Sequence, residues 1–224
     1  MIKAVLFDAY GTLLNVDAAA AQLASSGKFP ELQSCWPELA SIWRTRQLNY
    51  TWLRSLSGSY KPFWEITSDA LDYAMEALSL SNAEMRDALL KLYRELAAYE
   101  DAVMALDAVA TKGLPAAVLS NGNHDMLETA FRAAGLMDKL DALLSVEDVG
   151  IFKPAPQVYQ LGLDRYQAKP EEILFVSSNG WDACAAGQFG FQTVWANRAQ
   201  MPVERLPNAP DHIVSDLRAL AQYL

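Results

Sequence analysis

A chain of 224 residues is long for one domain and short for two of full size. Hydrophobic residues at 52% against charged residues at 20% supply a sizeable core and exclude a disordered chain. The formal net charge of −9 argues against a nucleic-acid partner, because binding a polyanion rests on clustered lysine and arginine. A small anionic substrate stays open, since a few basic residues converging locally are enough for one.

Cys35 and Cys184 lie far apart without CxxC spacing, and His124 and His212 are equally scattered. That pattern leaves no recognisable Cys/His zinc site and no disulfide framework. It also makes a Ser-His-Asp triad hard to build, because neither histidine sits in a nucleophile context. The first apolar run is short and stops at Asp8, so it does not read as a signal peptide. No run approaches the ~20 apolar residues of a membrane span. The expectation is a reduced, cytoplasmic protein with no membrane partner.

In chain order, residues 2–7 form a short apolar, β-branched run that reads as a buried strand. The run ends at Asp8, and Gly11 follows three residues later. A strand-ending aspartate is often only a turn residue. In an open α/β sheet, however, ligands bind in the crevice beyond the carboxyl ends of the strands. From about residue 16 to 98 the pattern is mostly helical, and Pro30, Pro37 and Pro62 mark helix boundaries. Leu39, Ile42, Trp43, Leu48, Trp52, Leu53 and Leu56 recur largely at three- or four-residue spacing, as in an amphipathic helix. Ser57-Gly58-Ser59 breaks that helix. A second carries Phe63, Trp64, Ile66, Leu71 and Met75, and a third runs over about 85–96.

From Tyr99 onward the pattern alternates. Helices are predicted near 102–111, 126–134 and 155–166, between 182 and 192, and from about 215. Strands are predicted at 115–119, 142–146, 173–176 and 192–195. Such alternation implies a parallel sheet with right-handed crossovers. The fold class is therefore α/β, a Rossmann-like parallel-sheet core of residues 1–14 and 99–224 with an inserted all-helical cap domain of residues 15–98. Three predicted strands end in polar groups: Asp8, Ser120-Asn121, and Ser177 to Asp182. Lys153 sits in a loop just before a helix. Four such features converging on one sheet edge point to a site rather than to coincidence.

The segments DAYGTL (8–13), Ser120-Asn121-Gly122, Phe152-Lys153-Pro154 and FVSSNGWD (175–182) resemble the motifs of the haloacid dehalogenase superfamily. WRTRQLNYTWLR (43–54) resembles the cap helix of its L-2-haloacid dehalogenase branch, so the likeness spans nearly the whole chain. Phosphatases of the superfamily carry an aspartate two residues after the nucleophile, as general acid/base beside Mg²⁺. Here that position is Tyr10, and Ser178 stands where they usually carry a metal-binding acid. Mg²⁺ favours carboxylates and waters, so the metal site looks dismantled and no cofactor is expected. A departing halide needs no proton, so the missing acid costs that reaction nothing.

The resemblance implies that Asp8 attacks the halogen-bearing carbon of a small anionic 2-haloacid and forms an ester that water then cleaves. Lys153 would keep Asp8 ionised. Asp182, Asn179 and Ser177 would position Lys153 and the water, and Thr12 would hydrogen-bond Asp8 or its neighbours. Arg44 would accept the halide, helped by Asn121. Ser120, with main-chain N–H groups near Ala9, Tyr10 and Asn121, would hold the substrate carboxylate. Tyr10, Leu48, Phe63 and Trp181 would form an apolar wall that excludes water, and Tyr159 would support the site from behind. The competing expectation is a magnesium-dependent small-molecule phosphatase of the same superfamily. Oligomeric state is open at this point, although a homodimer through cap or core helices is common in that family.

Overall fold

The computed structural model describes all 224 residues. Its centre is a six-stranded, fully parallel sheet in the order β3-β2-β1-β4-β5-β6. The strands are β1 (Ala4–Phe7), β2 (Ala116–Ser120), β3 (Ala142–Ser145), β4 (Ile173–Ser177), β5 (Gln192–Ala196) and β6 (His212–Val214). Parallel strands covered on both faces read as unbroken apolar runs. Accordingly every residue of β1, β2 and β4 is buried. Phe7 pairs with Val118 on one side and Val176 on the other, so Asp8, Ser120 and Ser177 end up at neighbouring carboxyl ends. β1 is also where the winding reverses: β2 lies to one side and β4 to the other, which is where α/β sheets open a crevice.

Five helices separate β1 from α6 (Glu100–Thr111): α1 (Ala18–Ser25), α2 (Pro30–Gln33), α3 (Trp36–Ser57), α4 (Phe63–Ala77) and α5 (Ala83–Arg94). Pro30 and Pro37 stand in the first turns of α2 and α3, and Pro62 is the residue before α4. There a missing N–H and a fixed φ cost nothing. Gly58 closes α3 in the left-handed conformation. The chain leaves the sheet and comes back side by side. Asn15 N–H donates to the Ala97 carbonyl (2.9 Å) and Tyr99 N–H to the Leu13 carbonyl (2.9 Å). The remaining helices are α7 (His124–Ala133), α8 (Pro156–Tyr166) and α9 (Gly180–Phe189), which alternate with the strands.

The insert holds five helices where the sequence marks three, α1 and α2 being the additions, and two further features depart from the sequence expectation. The short edge strand β6 has no counterpart in it, and the last segment is a 3₁₀ helix (Leu217–Tyr223) rather than an α-helix. Leu217 and Leu220 are its buried residues, and three-residue spacing suits a 3₁₀ turn. No helix is long and apolar enough to cross a membrane. Cys35 and Cys184 are both free thiols.

Candidate active site

The turn after β1 is wound tightly around one carbonyl. The N–H groups of Thr12, Leu13 and Leu14 all point to Ala9 O, at 3.2, 3.0 and 3.0 Å, and Gly11 takes φ +93°, which a side chain would disfavour. This turn brings Thr12 back onto Asp8. The Thr12 hydroxyl accepts from Ser178 N–H (2.8 Å), which leaves its own proton for Asp8 Oδ2 at 2.9 Å. Asn179 Nδ2 donates to the same oxygen at 2.8 Å. The other oxygen, Oδ1, has one donor, Lys153 Nζ at 3.2 Å. The two carboxylate oxygens of Asp8 are therefore unequal: Oδ2 is held by two neutral donors and Oδ1 faces a cation.

Lys153 is almost completely buried. Its main-chain N–H donates to Asn121 Oδ1 (2.9 Å), and the preceding Phe152 N–H donates to Ser55 Oγ of α3 (3.2 Å). The loop is thus tied both to the end of β2 and to the helical insert. Nζ also donates to Asp182 Oδ2 at 2.8 Å and lies 4.9 Å from the Phe175 ring centroid. Burial opposes the charge on Lys153, but Asp182 and Asp8 together outweigh it and raise the ammonium's pKa above its ordinary value. Asp182 is pushed up to about 6, first by burial and then by the like charge of Asp8, against the opposing pull of Lys153. Its second oxygen, Oδ1, accepts from Tyr159 Oη at 2.7 Å, while Ser177 Oγ donates to Oδ2, beside Lys153, at a longer 3.4 Å. Burial and the facing carboxylate hold the Tyr159 hydroxyl protonated, with a pKa well above the phenol value.

Arg44 reaches the site from α3. Nη2 donates to the Tyr10 carbonyl (3.2 Å) and to Asn179 Oδ1 (3.3 Å), and Nη1 donates to Gln47 Oε1 (2.8 Å). Tyr10 lies buried between cap and core, 5.7 Å from the ring centroids of both Tyr93 and Phe63. Its edge rests on Gly122, where a Cβ would stand 2.9 Å from Tyr10 Cε2; the glycine makes that approach feasible. Phe63 continues the aromatic layer to Phe152 at 6.1 Å. Leu48 and Trp181 lie instead along a groove of ≈ 680 Å³, together with Arg44, Ser178 and Asn179. On the β2 side, Ser120 Oγ accepts from Gly122 N–H (3.1 Å) and keeps its own proton uncommitted. The main-chain N–H groups of Ala9, Tyr10 and Asn121 have no protein acceptor. Uncommitted donors at neighbouring strand ends suit a carboxylate.

The donor set does not fit a magnesium ion. Asp182 is taken up by Lys153 and Tyr159, Ser178 Oγ is hydrogen-bonded to the Gly11 carbonyl, and no group of three or more acidic, histidine or cysteine side chains converges anywhere. Residues 2–190 match the family model described as haloacid dehalogenase-like hydrolase. The chain belongs to that family. It is 45% identical over 224 residues to (S)-2-haloacid dehalogenase 1 of Pseudomonas sp. (strain CBS-3), covering all of this chain and 96% of that one. Among solved structures, a dehalogenase with an intermediate complex superposes with a TM-score of 0.94 at 40% identity, covering 100% and 97% of the two chains. The L-2-haloacid dehalogenase from Xanthobacter autotrophicus with chloropropionic acid covalently bound gives 0.86 at 34% identity, covering 99% and 98%.

Within this haloacid dehalogenase-like fold, three residues beside the site do not stand out in the sequence. Gln47 is buried and holds Arg44, and its one readable sign is a polar residue among the apolar positions of α3. Arg198 and Asp101 form a two-point ion pair at 2.8 and 2.9 Å, and Arg198 Nη2 also donates to the Thr12 carbonyl at 3.0 Å. That pair braces the nucleophile turn from behind. Its partners are 97 residues apart, so no local pattern reveals it.

Proposed function

We propose that this protein hydrolyses short (S)-2-haloalkanoic acids to (R)-2-hydroxy acids through a covalent aspartyl ester on Asp8, without a metal. The observation that carries the reading is the pair of unlike cations at the nucleophile. Lys153 is buried against Asp8, whereas Arg44 reaches the same place with only neutral acceptors. The first fits an ionised nucleophile and the second fits an anionic leaving group.

In the first step the Oδ1 electron pair of Asp8 forms the bond to C2. The carbon–halogen bond breaks on the far side with inversion, and the halide leaves with its electron pair toward Arg44. Oδ1 is assigned the attack because Oδ2 is already held by Thr12 and Asn179. Ser120 and the free N–H groups of Ala9, Tyr10 and Asn121 hold the substrate carboxylate, and Asn121 Nδ2 is available to the halide. In the second step water adds to Cγ of the ester and gives its proton to Asp182. Charge builds on Oδ2, between the Thr12 hydroxyl and the Asn179 amide, which are already in place to receive it. The alkoxide of the 2-hydroxy acid is then expelled with the proton that Asp182 took up, and the carboxylic acid left at Asp8 releases the water's second proton to solvent, which restores the ionised nucleophile. Tyr10, Phe63, Leu48 and Trp181 limit water around the nucleophile. The helical segment 15–98 acts as a cap that supplies Arg44, and two unpaired cysteines suit a cytoplasmic setting.

The test is halide release from (S)- and (R)-2-chloropropionate in the presence of a chelator, followed by a single turnover in ¹⁸O-water. Chloride should come from the S isomer alone, and the first-formed lactate should carry an oxygen from Asp8 rather than from solvent. Asp8→Asn should abolish release. Solvent oxygen in the first-turnover product, or full activity in Asp8→Asn, would overturn the covalent route.

A further inference from the structure

The guanidinium of Arg44 is useful to a departing halide only if it is aimed correctly and still carries an uncancelled charge. Long arginine side chains do not hold one orientation by themselves. Something must fix this one, and a carboxylate would fix it at the expense of its charge. The structure uses an amide. Gln47, one helical turn beyond Arg44 on α3, is only 1% exposed and receives Arg44 Nη1 on its Oε1 at 2.8 Å. Its own amide is fixed from two other helices. Nε2 donates to Thr67 Oγ1 of α4 at 2.7 Å and lies 3.1 Å from Tyr93 Oη of α5, which in turn lies 3.3 Å from Oε1. Thr67 is held by the Phe63 carbonyl at 2.8 Å, and the Trp43 indole N–H donates to the Thr67 carbonyl at 2.8 Å.

We propose that Gln47 is a positioning residue for the leaving halide: a buried, neutral amide that locks the Arg44 guanidinium toward the nucleophile while leaving its charge free. The proposal rests on the dehalogenase reading above and deepens it. Every protein acceptor of Arg44 is uncharged, so the full cationic field remains for an anion formed at C2. Thr67, Tyr93 and Gln47 come from three helices of the insert, so the orientation of Arg44 is a property of the cap's own packing. The network leaves the core's Lys153–Asp182 pair untouched.

The experiment uses the full chain with Gln47→Glu and Tyr93→Phe. Glutamate keeps the shape but puts a carboxylate on Nη1, cancelling the charge that glutamine leaves free. Tyr93→Phe keeps the ring beside Tyr10 and removes one anchor of the amide. The readouts are the rates with (S)-2-chloro- and (S)-2-bromopropionate, inhibition by added chloride, and the rate at which the ester, trapped by rapid quench, is hydrolysed. In Gln47→Glu the chlorinated substrate should slow by about 10–100-fold, the scale for partners that orient a group acting directly. The brominated substrate should slow less, because bromide needs less help in leaving. Chloride inhibition should weaken in parallel, and ester hydrolysis should stay at the wild-type rate. Tyr93→Phe should move the same readouts in the same direction by less, and it decides the question where Gln47→Glu does not fold. An unchanged chloride-to-bromide rate ratio and unchanged chloride inhibition in a folded variant would overturn the positioning role alone. Absence of halide release from the wild-type protein would overturn the parent reading as well.

Discussion

Lys153→Met is the most demanding test of the site, because the structure fixes both the size of its effect and its pH dependence. Nζ stands 3.2 Å from Asp8 and 2.8 Å from Asp182, and all three groups are buried. Removing the ammonium leaves two carboxylates facing each other without a counter-charge. Breaking a buried pair in this way costs about 3–5 kcal/mol, a large share of the roughly 5–15 kcal/mol that holds a typical domain folded. The pH dependence follows from Asp182, whose pKa is about 6 even with the lysine present. A folded pKa above the unfolded value means the folded state binds more protons between the two, so stability falls as pH rises through that window. Without Lys153 the folded pKa rises further, and the fall becomes steeper and extends to higher pH. Urea denaturation of wild type and variant at pH 5 and pH 7.5 measures this directly. The variant should lose about 3–5 kcal/mol at pH 7.5 and distinctly less at pH 5, where one carboxylate takes up a proton. Halide release should fall by at least about 10²-fold. A variant as stable as wild type at pH 7.5, or one that loses more at pH 5, would refute the charge assignment.

Two further outcomes follow from the same geometry. If Asp182 accepts the proton of the hydrolytic water, turnover should fall as pH drops through about 6, where its carboxylate becomes protonated, and no matching limb should appear below pH 9 because Lys153 titrates above its ordinary range; a flat profile from pH 5 to 8 would remove Asp182 from the proton path. Gly122→Ala would place a Cβ 2.9 Å from the Tyr10 ring and 3.0 Å from Leu127 Cδ2, so the variant should lose about 1–3 kcal/mol by urea denaturation and also lose activity as Tyr10 is displaced.

Much of the core was readable because parallel strands buried on both faces announce themselves as apolar runs, and Asp8, Ser120, Asn121 and Ser177 each fall at or just after the end of one. Strand β6 was not readable: two of its three residues are exposed, and it pairs only at the sheet edge. The final segment has the apolar spacing of a helix turn, yet it is too short to separate α from 3₁₀ on that basis. At the site, residues placed by strand ends could be found from the chain alone. Those held by tertiary contact could not. Asp101 receives Arg198 from 97 residues away and the Leu217 N–H from 116, and neither distance leaves a periodic trace. Gln47 is the intermediate case. It lies one turn from a singled-out arginine, but its anchors, Thr67 and Tyr93, belong to helices whose relative placement only the fold supplies.

Tyr10 shows why the chemistry of this site is not set by a single exchange of acid for phenol. Its carbonyl accepts from both Arg44 and Asn179, so the main chain at this position already links the cap's cation to the group that holds Asp8 Oδ2. Its ring fills the space between Phe63 and Tyr93 and presses on a glycine that no other residue could replace without movement. An aspartate there would lose those aromatic contacts and place a carboxylate in a nearly dry layer. It would also leave Ser178, already bonded to Gly11, unable to supply a second acid for a metal. The absent general acid, the neutral acceptors around Arg44 and the aromatic seam between insert and sheet therefore form one arrangement. Each makes sense for a leaving group that departs as a stable anion, and the Tyr10 main chain and ring are where the three meet.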